Sequence, residues 1–150
     1  MTEDTSRTAT SAATATTGVP HRPWSTSLLA VHLAQTVLVL VGGVVRTVAE
    51  GTSVVTGTAA TTVAAALPAG MALWVAVGRR RADAGRPRAL RDAAVVGFTV
   101  AAIFAIVQVA SLAGVIAGLT VLEVVHGVVL LAVTITVAGF ALRTASAATA

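Results

Sequence analysis

Residues 93–142, AAVVGFTVAAIFAIVQVASLAGVIAGLTVLEVVHGVVLLAVTITVAGFAL, decide the fold, because this stretch contains one charged side chain, Glu123. As a single helix it would be about 75 Å long, whereas the hydrocarbon core of a bilayer is about 30 Å thick. The segment must therefore fold back on itself. Gly118 can end a helix, and Thr120 with Glu123 forms a capping box that starts the next one. We therefore predict a tight turn near 117–120.

Two further charge-free runs, 23–45 and 51–78, precede this segment. Each is long enough for one crossing, which needs about 20 apolar residues, and Glu50-Gly51-Thr52-Ser53 provides a stop and a cap between them. The composition agrees, since 56% of the residues are hydrophobic, 11% are charged and the mean hydropathy is +0.90. We predict an all-α fold, an up-down bundle of four transmembrane helices at about 25–47, 54–78, 93–117 and 120–142.

The chain is predicted to form one membrane domain between two tails. Residues 1–22 are rich in Thr, Ala and Ser and contain few large apolar side chains. Such a segment cannot bury enough surface to fold, so we predict a disordered tail. The four-helix domain follows over 23–143, and residues 144–150 form a short second tail.

The arginines orient the predicted bundle. Arg7 and Arg22 precede the first helix, and Arg143 follows the fourth. Six more arginines lie between the second and third helices: Arg79, Arg80, Arg81, Arg86, Arg88 and Arg91. With four crossings, these nine of the ten arginines lie on one side of the membrane. The positive-inside rule makes this side cytoplasmic, with both termini. Lysine is absent and Ala and Val are abundant, a composition typical of GC-rich bacterial genomes, so we predict a multi-pass protein of a bacterial plasma membrane.

Several classes of site and partner are excluded or disfavoured. The chain has no cysteine, which excludes disulfides, thiolate metal sites and cysteine nucleophiles. Its net charge of +4 does not indicate nucleic acid, because the arginine loop is explained by the membrane, and the bilayer is the predicted partner. Glu123-x-x-His126 resembles half of a di-metal motif, but such bundles need a second copy and two further carboxylates. We therefore predict no metal site.

Polar side chains inside the predicted spans are the candidate site residues, because they are costly in lipid. Arg46, Glu50, Gln108, Glu123 and His126 are all predicted to lie in the outer half of the bundle. There Arg46 could pair with Glu123, and Glu123 and His126 share one helix face. Local roles compete with a functional cluster: Glu123 can cap its helix, Arg46 can reach lipid headgroups and Gln108 can bond a neighbouring helix. We favour the local roles for these three residues.

The two histidines in the spans are predicted to lie at different levels. His32 would lie about 10 Å from the cytoplasmic face and His126 about 9 Å from the outer face, so one heme is not expected to be held by both. His126, beside Gly127, could ligate heme or carry a proton, or it could simply bond a neighbouring helix. Both interpretations stay open. His32 and Gln35 are secondary candidates.

Two segments carry a family resemblance. Residues 35–47, QTVLVLVGGVVRT, join Gln35 to Gly42-Gly43-Val-Val-Arg46, and residues 108–132 join a glutamine, a glycine-containing hairpin and His126. Together they resemble one half of the heme A synthase family, whose members have eight transmembrane helices in two similar halves. The first segment is similar to that family's pattern of Gln followed by Gly-Gly-Val-Val-Arg-Leu-Thr. The two segments cover about a quarter of the chain.

The departures from the family pattern limit what the resemblance implies. The family places a Glu and a His-Arg pair at the start of helix two, where residues 54–60, VVTGTAA, have neither. A cysteine pair and a long outer loop after Arg46 are also missing. The resemblance therefore implies a heme-ligand role for His126 alone, with Glu50 as a loose counterpart of the family's outer-loop acid. We do not expect catalysis.

Three function classes follow from these residues. The leading hypothesis is a small integral membrane protein that binds heme through His126. The alternative is a cofactor-free accessory protein of a larger membrane complex or homo-oligomer, in which glycines and polar groups serve packing. The third is a small oligomeric transporter that uses Arg46, Glu50 and Glu123 as a charge cluster, although no discontinuous helix or charged pore ring recommends it.

Overall fold

Four long helices make up the described part of the protein. A computed structural model describes residues 21–51, 53–115 and 121–149, and in these ranges every regular element is an α-helix. The helices are α1 (Arg22–Glu50), α2 (Val54–Asp83), α3 (Pro87–Val115) and α4 (Val121–Ala147). All four are long and apolar enough to cross a membrane, which confirms the predicted four-helix fold. The predicted turn near 117–120 and residues 1–20 of the predicted tail lie outside the described residues.

Glycines form the two described turns. Gly51 ends α1 with a φ of 62°, and Gly85 has a φ of 80° between α2 and α3. This left-handed backbone is open to glycine without a steric penalty. Pro87 then starts α3, at the position where the missing N–H of proline costs no helical hydrogen bond. The predicted helix stop after Glu50 is confirmed at Gly51.

The helices run beyond the apolar stretches at the end that carries most arginines. We expected α2 to end near 78, α3 to begin near 93 and α4 to end near 142, whereas the helices continue to Asp83, begin at Pro87 and continue to Ala147. Hydropathy marks only the part of a helix that crosses hydrocarbon, and backbone bonding continues until a capping signal intervenes. Arginines in the last turn of α2 also interact favourably with the helix dipole. Residues 144–147, expected in the tail, therefore extend α4.

The helices are antiparallel, and each packs against its neighbours in sequence, with α4 closing the bundle against α1. At one end Arg22 Nε donates to Asp83 Oδ1 at 3.3 Å, and Arg79 Nη1 donates to Thr26 Oγ1 at 2.7 Å. Both contacts join the start of α1 to the end of α2. The predicted up-down order is therefore confirmed.

Small residues let α1 and α2 approach closely. A Cβ atom on Gly43 would overlap the Thr61 side chain, and one on Gly57 would overlap Thr47. Helices in membranes associate through van der Waals contact at such small residues, because lipid supplies no hydrophobic drive between them. The tight packing predicted at the Gly42-Gly43 pair is present.

The bundle is closed at one end and open at the other. We call the closed end, with Arg22, the α2–α3 turn and Arg143, the arginine end. Its interior is filled by side chains with no solvent exposure: Leu28, Val75, Leu90, Ala93, Ala94, Val137 and Ala141. The Arg143 guanidinium also lies 4.8 Å from the ring centroid of Trp24, which ties α4 to α1 at the same end. Towards the opposite end the interior widens.

The outer surface of the helices is apolar. Val48, Val55, Val63 and Ile106 are among the large hydrophobic side chains that point away from the bundle, and Val55 is 80% exposed. A soluble monomer rarely exposes so much contiguous apolar surface. The surface is explained by contact with lipid tails, in agreement with the predicted multi-pass membrane protein.

Candidate binding cleft

The open end of the bundle contains a cleft of about 580 Å³, which we call the polar cleft. All four helices line it, and α1, α3 and α4 contribute its charged or strongly polar side chains. These are Arg46, Gln108, Glu123 and His126. The sequence predicted that these residues lie in the outer half of the bundle, and the structure brings them to one cavity. The side chain of Glu50, the fifth member of the predicted cluster, lies outside those described.

His126 is held against α1 in this cleft. Its Nε2 lies 3.0 Å from the backbone oxygen of Leu38. A carbonyl oxygen only accepts, so Nε2 carries a proton and donates, and Nδ1 is the ring nitrogen that can offer a lone pair. The ring also packs on Gly42, because a Cβ atom at that position would overlap the imidazole. The interhelical hydrogen bond considered for His126 is therefore present.

Gln108 is the polar group of the cleft that lacks a hydrogen-bond partner in the described part of the chain. Both Nε2 and Oε1 of its amide are buried and have no hydrogen-bond partner among the described residues. The interhelical bond expected for Gln108 is not seen within that part of the chain. Burying an amide without partners costs about 1–3 kcal/mol by mutational measures, and unsatisfied groups of this kind call for a ligand or water. Gln108 therefore marks the cleft as a place that accepts a polar group.

Arg46 and Glu123 bring opposite charges to the same lining. Arg46 is exposed and Glu123 is half-buried, and each already has an interaction partner. Glu123 lies in the first turn of α4, where a carboxylate is stabilised by the helix dipole. This agrees with the capping role favoured for it, although Thr120 of the predicted box lies outside the described residues.

The secondary candidates His32 and Gln35 lie away from the polar cleft. Gln35 Nε2 donates to Thr134 Oγ1 at 3.0 Å in the buried core, and His32 borders a separate small void. His126 packs on Gly42, ten residues after His32, which places the two imidazoles about 15 Å apart along α1. The prediction that the two histidines lie at different levels is confirmed. They cannot ligate one iron from opposite faces.

Two partners of these residues were missed by sequence reasoning: the Leu38 carbonyl and Thr134. Thr134 carried the best available signal, since it lies two turns after His126 on α4. In an antiparallel pair that spacing reaches the level of Gln35 once His126 is placed beside Gly42. The Leu38 carbonyl has no sequence signal, because any backbone carries one.

Comparison of the chain with known proteins found no match. No family model matches the chain, and neither a curated protein nor a solved structure is similar to it. Among the described residues, no three His, Asp or Glu side chains gather as a metal site would require.

Proposed function

We propose that the protein binds an amphipathic, membrane-soluble ligand in the polar cleft. The observation that carries the proposal is the unsatisfied amide of Gln108 in a cavity of about 580 Å³ that also contains Arg46 and His126. Ligand sites typically occupy about 300–1,000 Å³ and combine apolar walls with a few convergent polar groups. Valines, alanines, Phe104 and Leu130 supply the apolar walls.

Heme is the ligand that we propose to test first. The family resemblance points to it, the cleft has room for a molecule of that class, and Arg46 would meet its carboxylates. The Leu38 bond supports an iron ligand in one respect, since metal-binding histidines usually donate their second N–H to a carbonyl or carboxylate. Iron would then meet Nδ1 of His126. No second imidazole reaches this level among the described residues, so one protein ligand is the arrangement that the side chains allow.

The heme test is an absorption spectrum of the detergent-purified protein after growth with heme supplied. We expect a Soret band in the wild type and its loss in His126→Ala. His21→Ala is the matched control, because His21 lies at the arginine end, 3.5 Å from Asp83, and its removal should leave the band unchanged. A wild type without a Soret band overturns the assignment of heme as the ligand. The proposal that the polar cleft binds an amphipathic ligand is tested separately.

The wider proposal is tested by native mass spectrometry of protein extracted in mild detergent. Gly127 lines the cleft, so Gly127→Leu should reduce the occupancy of a copurifying small molecule. Gly139→Leu is the control, since a Cβ atom at Gly139 would meet nothing within 4 Å. If no small molecule copurifies, or if both variants retain it equally, the cleft is not a ligand site.

A second candidate function is supported by the contacts of His126. Its ring is already packed on Gly42 and bonded to Leu38, as a purely structural histidine would be. In that case the protein is a cofactor-free accessory protein of a larger complex. His126→Ala would then lower stability or partner retention without removing any spectrum, whereas a heme spectrum that depends on His126 would contradict this candidate.

The membrane in which the protein resides and its orientation there are part of the same proposal. We infer that it resides in a bacterial plasma membrane with the arginine end in the cytoplasm, following the distribution of arginine. The polar cleft then lies on the outer side, where a ligand could enter from the outer leaflet or the periplasmic face.

Orientation is testable because the chain has no cysteine of its own. Ala84→Cys places a thiol in the exposed α2–α3 turn, and Ser53→Cys places one between α1 and α2. With a membrane-impermeant maleimide on intact cells, we expect labelling at position 53 and none at position 84 until the cells are opened. The reverse labelling pattern would show that the bundle has the opposite orientation in the membrane.

A further inference from the structure

His32 is a buried histidine with no visible partner. The residue is 2% exposed, and neither ring nitrogen has a hydrogen-bond partner among the residues that the structure describes. A neutral imidazole offers one donor and one acceptor. Both are costly to leave unsatisfied in a low-dielectric interior, so a group outside the described chain should complete them.

The space beside His32 has the size of one water molecule. His32, Gln35, Pro68, Gly97 and Phe104 are among the residues around a void of about 10 Å³. A buried water needs roughly this much room and two to four polar partners. Gln35 supplies a second polar partner beside His32. Its Nε2 already donates to Thr134, and its side-chain carbonyl oxygen is left to accept a hydrogen bond from the water.

The void is blocked towards the arginine end, faces the lipid side at Leu67, which is 46% exposed, and approaches the polar cleft at its other end. Towards the arginine end, Leu28, Val75 and Leu90 fill the interior with no solvent exposure. In the opposite direction, Phe104 borders both spaces, the void and the polar cleft.

A freed backbone carbonyl lies at the same boundary. Pro68 borders the void, and its missing N–H leaves the carbonyl of Ala64, one turn earlier, without a helical donor. Ala64 itself lines the polar cleft. In a membrane such carbonyls need a substitute partner, and water entering from the cleft would provide one.

We propose that His32 and Gln35 hold one buried water molecule, which exchanges with the polar cleft past Phe104. His32 then lies at the inner end of a polar passage that water and protons enter from the cleft. Packed side chains block this passage towards the arginine end. The proposal does not depend on what the cleft binds.

The test uses full-length protein in bilayers, with ¹⁵N-labelled histidine and solid-state NMR transfer from water to imidazole nitrogens. His21→Ala and His126→Ala identify the His32 signals by elimination. We expect a water contact at the His32 ring in the wild type. A His32 ring without water transfer, or one bonded directly to Gln35, overturns the proposal.

Two variants test the site and its access. Gly97→Ala would place a methyl group 3.6 Å from His32 Nε2 and 3.4 Å from Met71 Cε, which are ordinary contacts, so it fills space without strain and should abolish the water contact. Phe104→Ala should speed deuterium exchange at the His32 ring after transfer to D₂O. A water contact that persists in Gly97→Ala contradicts the site, and unchanged exchange in a folded Phe104→Ala contradicts the route.

Discussion

Replacing Gly42 with alanine is expected to destabilise the bundle by about 0.5–3.5 kcal/mol, after the roughly 1 kcal/mol by which alanine is favoured over glycine in a helix is set against the losses. The added Cβ would overlap the imidazole of His126, and overpacking of a packed site costs about 1–3 kcal/mol. Moving the ring away also breaks its bond to the Leu38 carbonyl, which is worth about 0.5–1.5 kcal/mol. The measurement is the free energy of unfolding in detergent micelles.

Gly139→Ala is the matched control for this substitution. Gly139 is also a helical glycine, and a Cβ atom there would meet nothing within 4 Å. Since alanine is favoured over glycine in a helix by about 1 kcal/mol, the control should be neutral or slightly stabilised. A Gly42→Ala variant as stable as the control would show that the ring is not seated on Gly42.

A double variant separates the two residues. His126→Ala removes the ring, so Gly42→Ala should cost much less in the His126→Ala background than in the wild type. Residues in contact show coupling energies of about 0.5–3 kcal/mol in such cycles. Additive losses from the two substitutions would mean that Gly42 and His126 act independently, and the close approach of α1 and α4 would then need another explanation.

The contact between Gly42 and His126 also shows where sequence reasoning stops. The four helices, the stop at Gly51 and the placement of Arg46, Gln108, Glu123 and His126 in the outer half of the bundle follow from hydropathy, capping residues and helical rise. The rotation of α4 about its axis does not, because α4 is apolar on nearly every face. Without a polar stripe, its sequence does not say which face turns inward, and the Leu38 bond could not be foreseen.

The contacts inside the bundle could not be predicted from the sequence for a related reason. Threonine in a membrane helix commonly bonds the carbonyl four residues earlier, as Thr134 does with Leu130, so Thr134 resembles its exposed neighbour Thr136 in sequence. The void beside His32 depends on how Pro68 of α2 packs against Gly97 and Phe104 of α3 next to α1. Small cavities are a product of packing in three dimensions, and no periodicity encodes them.

Thr134→Val is expected to cost about 1–3 kcal/mol, since it removes the partner of a buried amide. Gln35 and Thr134 are 6% and 0% exposed, and the bond between them is 3.0 Å long. Valine has nearly the shape of threonine, so packing is kept while Gln35 Nε2 is left without an acceptor. An unsatisfied buried donor carries its full desolvation cost, which unfolding measurements in micelles would report.

Two controls distinguish this cost from the general effect of losing a hydroxyl. Thr136→Val removes an exposed hydroxyl that bonds the Ala132 carbonyl in the same manner, and it should be neutral. Gln35→Leu should cost less than Thr134→Val, because Thr134 keeps its bond to the Leu130 carbonyl. The combination of Gln35→Leu with Thr134→Val should recover part of the loss, since no buried amide then remains unpaired.

Equal costs for Thr134→Val and Thr136→Val would contradict a register between α1 and α4 fixed by this bond. A large difference would identify Gln35 as the polar group that sets how the two apolar helices align, because valines and alanines alone would pack nearly as well one turn away.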